Sequence, residues 1–117
     1  MLCLGLLLIC SPPSAGAAPA RPKSRSAQCE VRSAGAPPWR GRCLFVTSGG
    51  ASFSISPAGR AGFPGGVSLI DVAVTGRGVA QVSGLTRAGI HSRWGEARRS
   101  ARDAACWDGS DFRICAR

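Results

Sequence analysis

A chain of 117 residues with 15 Lys and Arg, 6 Asp and Glu and a formal charge of +9 holds one small domain rather than two. Arginine supplies every cation but Lys23, and Gly, Ala and Pro are abundant, a composition that GC-rich coding also produces, so the charge attracts anions without naming one. No segment reaches the roughly 20 apolar residues that cross a bilayer, and no transmembrane anchor is expected.

In chain order, Leu2 to Ile9 is almost wholly apolar and is followed by small residues ending in Ala18-Pro19-Ala20, the pattern of a cleaved signal peptide over residues 1–20. Ile9 stands before Cys10 where a lipid-attachment site has a small residue, so a lipoprotein is disfavoured. Residues 21–27 carry charge without apolar periodicity and read as a flexible basic tail, leaving residues 28–117 as the domain. Cys29 to Arg32 alternates in polarity, Gly35 to Pro38 breaks the pattern, and Arg42 to Val46 resumes it, which predicts a hairpin. Gly49-Gly50 marks a turn, after which Ser52 to Ser56 places Phe53 and Ile55 on one face.

Pro57 to Gly66 reads as a long loop. Val67 to Val74 is the clearest strand, being rich in β-branched residues. Gly76-Arg77-Gly78 turns the chain into Val79 to Ser83, and Gly84 to Gly89 leads into Ile90 to Trp94. Glu96 to Ala105, whose apolar positions are all alanine, reads as loop or short helix. A turn at Asp108-Gly109-Ser110 precedes a last strand over Phe112 to Cys115. The sum is an all-β domain, a small antiparallel sandwich or barrel of five to seven short strands.

Beyond the leader stand Cys29, Cys43, Cys106 and Cys115, an even number in a short exported domain, which predicts disulfides. Four cysteines allow three connectivities. Pairing Cys29 with Cys43 and Cys106 with Cys115 is favoured, because each pair lies on neighbouring extended segments whose Cβ atoms come within bonding reach. The expected location is periplasmic or secreted.

The segment Gly89-Ile90-His91-Ser92-Arg93-Trp94-Gly95-Glu96, with Ala105-Cys106-Trp107 and Arg113-Ile114-Cys115-Ala116, resembles the end of small exported bacterial proteins that close on an ACW...RICA motif. Gly41 to Phe45 and Ser52 to Ile55 resemble their opening, so the likeness spans Cys29 to Arg117. It implies export, a compact domain and paired cysteines, and it carries over no catalytic residue.

The residues offer little to an enzyme. His91 is the only histidine, and a Ser-His-Asp arrangement would need it together with Asp71 or Asp103, yet no Gly-x-Ser-x-Gly elbow is present. Asp108 and Asp111 flank Gly109 in a turn, where capping explains them better than acid-base work. The ligand spacing of a calcium loop is missing, and with one histidine and bonded cysteines no zinc site or cofactor is expected.

Tryptophans interleaved with arginines suggest binding instead. Trp39, Arg40, Arg93, Trp94, Arg98 and Arg99 form the candidate surface, while Trp107, beside Cys106, is expected to pack against a disulfide. The reading is an exported binding module contacting anionic polysaccharide, lipid headgroups or an acidic protein. A cationic antimicrobial or toxin-like protein and an inhibitor of an exported enzyme are the alternatives.

Overall fold

The computed structural model describes residue 5 and residues 23–117, so the apolar leader, Gly5 apart, and its cleavage point lie outside the described residues. The strands are β1 (Ser24–Ser33), β2 (Trp39–Thr47), β3 (Phe53–Pro57), β4 (Val67–Gly76), β5 (Val79–Thr86), β6 (His91–Arg99), β7 (Cys106–Asp108) and β8 (Phe112–Ala116). Each pairs antiparallel with the next, and β8 returns to β1 to close a barrel. Among the described residues no helix is long and apolar enough to cross a membrane.

Three expectations need correction. Among the described residues there are eight strands rather than five to seven, because β7, only three residues long, is too short to show alternation yet bridges β6 to β8. β6 runs on through Glu96 to Arg99, where composition suggested loop or helix; Ala97 is simply its inward residue. Finally, β1 begins at Ser24, so Ser24 to Ala27 belong to the sheet, paired with Leu44 to Val46 and Cys43 of β2.

The barrel is filled rather than hollow. Inward positions supply Ala27, Cys29 and Val31 from β1, Phe53 and Ile55 from β3, Ile70 and Val72 from β4, and Ala80 and Val82 from β5, all buried. Ala97, Trp107 and Ile114 complete the wall. Outward positions on β1 are Ser26, Gln28, Glu30 and Arg32, so alternation sorts polar from apolar.

On β6 this alternation is reset. Val82 pairs with Gly95 and Ser83 with Arg93, leaving Trp94 as a bulge residue, and Gly95 takes a φ of 110° that an L side chain resists. Counting back from Ala97 without the bulge would send Arg93 and His91 inward. With it, Trp94 turns in and meets the Phe112 ring edge-on at 5.6 Å, over Gly84, where a Cβ would stand 3.0 Å from the indole nitrogen.

The disulfides join the pairs expected, on opposite sides of the wall. Cys29 and Cys43 lie one diagonal step apart on inward rows, with Cα atoms 5.8 Å apart. Cys106 and Cys115 are directly opposed with Cα atoms 4.0 Å apart and occupy the outward phase, since their neighbours Trp107 and Ile114 face in. Trp107 is therefore core, but adjacent Cys106 puts its disulfide on the other face of β7.

The two ends differ. At one, the β3 to β4 connection folds inward: Phe63 is buried, its N–H bonds the Val67 carbonyl at 2.8 Å, and Trp39 meets its ring edge-on at 4.8 Å. The loop is thus a plug. At the other end the connections are short, and the chain terminus clasps the β6 to β7 loop: the Arg117 guanidinium donates to both Asp103 oxygens, while the Ala105 N–H donates to the same carboxylate.

On the outer wall Arg32 and Arg113 are direct cross-strand neighbours, a repulsive placement relieved by Glu30, which binds Arg32 and Arg40, and by Asp108, which lies 3.1 Å from Arg113. Burial works to raise the Glu30 pKa, but Arg40 and Arg32 outweigh it and hold the group below its ordinary 4.5. Hydrogen bonds from Arg117 and Ala105 hold Asp103 below 3.8.

Two stability predictions follow from these contacts. A Cβ on Gly109 would collide with the Phe112 ring, so Gly109→Ala should cost about 1 to 3 kcal/mol as overpacking and lower Tm by roughly 4 °C or more. Gly76→Ala, which meets nothing within 4 Å, is the matched control; equal melting of the two variants would contradict the packing account. Because the folded pKa values of Glu30 and Asp103 are depressed, their contribution is complete above their ordinary values of 4.5 and 3.8 and disappears as pH falls through the folded ones. Tm should therefore hold from pH 7 to about pH 5 and drop below it. Glu30→Gln/Asp103→Asn should start lower at pH 7 and show a shallower acid limb.

Candidate cationic barrel mouth

The phase of alternation decides what stands at the open end. Arg25 is one inward step outside buried Ala27, and Arg99 is one inward step outside buried Ala97. Each faces an aromatic residue across the strand pair. Arg25 is opposite Phe45, its guanidinium carbon 4.6 Å from the ring centroid; Arg99 is opposite Trp107 at 4.9 Å. Phe53 stacks on Phe45 with centroids 4.8 Å apart and planes 23° apart.

These side chains surround a recess of about 260 Å³, closed on one side by Ala104 and Ala105 of the clasped loop. That loop is shaped by its own polar groups: Ser100 Oγ accepts from the Arg102 and Asp103 N–H groups at 3.2 and 3.3 Å. The wall below is sealed by Ile55, Val72 and Val82, all buried, so the recess ends within the mouth.

Electrostatics distinguish it from the other recesses. Neither Arg25 nor Arg99 forms an ion pair among the described residues, and residues 1–22 contain no acid that could supply one. Glu30, Glu96, Asp103 and Asp108 are each paired with other arginines, Asp71 is on the outer face of β4, and Asp111 is at the plugged end. Lys23, Arg77 and Arg102 lie at the same end in the segments beside β1, β4 and β6, where Asp103 is the one acidic side chain among the described residues. The mouth is a cationic rim over aromatic walls.

Two other recesses, of about 310 and 350 Å³, each bring Arg93 together with an acid, Asp111 in the first and Asp71 in the second. Their charges compensate. The second also holds Ser83 and His91, since Asp71, Ser83 and Arg93 are opposed in one outward row and His91 is one step along β6. Among the described residues no hydrogen bond links the three into a relay, and no group of three His, Cys, Asp or Glu clusters as metal ligands.

Of the six residues of the candidate surface, only Arg99 reaches the mouth. Trp39 and Trp94 are half-buried at the plugged end, Arg40 and Arg98 stand on the outer wall beside Glu30 and Glu96, and Arg93 points outward from β6. Arg25, Phe45 and Phe53 join Arg99 and Trp107 instead. The row Arg25, Ala27, Cys29, Val31 was the available signal, because its period of two runs through the supposed tail. No protein family, curated protein or solved structure matches the chain.

Proposed function

We propose that this is an exported binding module that engages anionic envelope material or an acidic partner through its open, cationic end. The observation that carries the reading is the placement of Arg25 and Arg99 at the mouth without acids, while several outer-wall arginines are matched at 3.0 to 3.3 Å. Two buried disulfides suit an oxidising compartment, in agreement with the leader and with the ACW...RICA resemblance.

The outer wall speaks against a barrel immersed in lipid. Its β1 and β2 rows carry Gln28, Glu30, Arg32, Arg40 and Arg42 beside one exposed leucine, Leu44, whereas such a barrel turns an apolar band outward. An inhibitor of an exported enzyme remains the second reading only for an acidic target, because a basic one would be repelled on approach.

The test is retention on immobilised dextran sulfate over a salt gradient. Arg99→Glu should elute at clearly lower salt than the parent, since it reverses a rim charge, while Arg98→Glu, beside Glu96 on the outer wall, should shift much less. Equal shifts would mean that overall charge alone drives retention, and the mouth would lose its role.

A further inference from the structure

The recess is too small and too shallow for a long ligand. Binding pockets for drug-sized molecules run from about 300 to 1,000 Å³, so 260 Å³ holds a headgroup and a few further atoms. Ile55, Val72 and Val82 fill the barrel beneath it, which prevents an acyl chain from threading inward. Whatever enters must be compact.

The two guanidiniums define its charge. A guanidinium lying over an aromatic face keeps its N–H groups in its own plane, available at the edges. Arg25 lies over Phe45 and Arg99 over Trp107, so an aromatic ring backs each guanidinium while its edge N–H groups stay free for an anion in the recess that both residues line. The stacking is worth less than a charge-assisted hydrogen bond, so an arriving oxyanion wins any competition for the side chains. Two fixed cations match a dianion better than a carboxylate, and a phosphate monoester carries about −1.5 to −2 at pH 7.

Resting on the proposed function, we infer that the mouth is a site for a compact phosphate monoester, clamped between Arg25 and Arg99 and bordered by Phe45 and Phe53. The phosphate could be borne by a soluble metabolite or glycan, or by a lipid headgroup presented at a surface; the chemistry at the two arginines is the same.

The molecule contains its own reporter, because Trp107 lies under Arg99 while Trp39 and Trp94 sit at the plugged end. In a Trp39→Phe/Trp94→Phe background, phenyl phosphate and glycerol 1-phosphate should change the emission saturably, with a matching calorimetric signal, and benzoate should bind more weakly. Arg25→Gln/Arg99→Gln should weaken phosphate-ester binding about tenfold or more at unchanged Tm, in keeping with loss of charge-assisted hydrogen bonds. Vesicles containing phosphatidic acid separate the sources: binding to them as well as to glycerol 1-phosphate identifies a lipid headgroup, and binding to the soluble esters alone identifies a free or glycan-borne phosphate, both in support. Absence of saturable binding by fluorescence and calorimetry, benzoate binding as well as phenyl phosphate, or full binding by the double variant would each overturn the assignment. Retention on dextran sulfate that survives such a failure would leave the broader anion-binding reading intact.

Discussion

Closure of the barrel is the constraint on which the remaining features depend. Once β8 pairs with β1 the sheet has no long free edge, and every strand residue faces either a packed interior or the outside. A single-residue slip would exchange those two populations along a whole strand. The bulge at Trp94 and Gly95 shows how sharply this acts: β6 must turn both Ala97 and Trp94 toward the core although they are an odd number of residues apart, and the extra residue reconciles them. The same phase carries Arg99 to the inward side of the rim, so core packing at Ala97 places the candidate ligand-binding charge.

The interior explains why only one end is open among the described residues. Phe63 enters from the β3 to β4 loop and gains Trp39 as an edge-on partner, so burying it adds apolar contact that the loop alone lacks. At the opposite end the inward rows of β1 and β6 finish in Ala27 and Ala97, which are small, and then in arginines that cannot be driven deeper without losing hydration. Aromatic neighbours hold these arginines at the rim. The Asp103 to Arg117 clasp then fixes the loop bordering them, with Arg117 also extending the β1 pairing through reciprocal backbone bonds to Gln28 at 2.9 and 3.1 Å.

Much of the wall was legible in the sequence because alternation with β-branched residues is a strong local signal. Val67 to Val74 shows this, as do Phe53 and Ile55. The disulfides were legible for the same reason, each joining strands adjacent in sequence. What stayed hidden was decided by pairing across the barrel. Ser24 to Ala27 has one apolar residue and becomes a strand only against β2, while Cys106 to Asp108 is ordered by neighbours on both sides. Scanning for tryptophan beside arginine in the sequence therefore found Trp39 and Trp94, which serve the core, and passed over Arg25 and Phe45, which are 20 residues apart in sequence and directly opposed in space.

Composition and position make separate contributions to the charge. An arginine surplus of genomic origin would be indifferent to which way a side chain faces, and several exposed cations, Arg42, Arg60 and Arg87 among them, fit that description. Arg25 and Arg99 do not, because each occupies an inward phase where neighbouring rungs are apolar and each is backed by an aromatic ring from the adjoining strand. An uncharged residue there would extend the core toward the rim with no desolvation cost. Keeping guanidiniums in those two places forgoes that packing and leaves directed donors facing a small recess. That exchange is intelligible for a protein that has an oxyanion to hold.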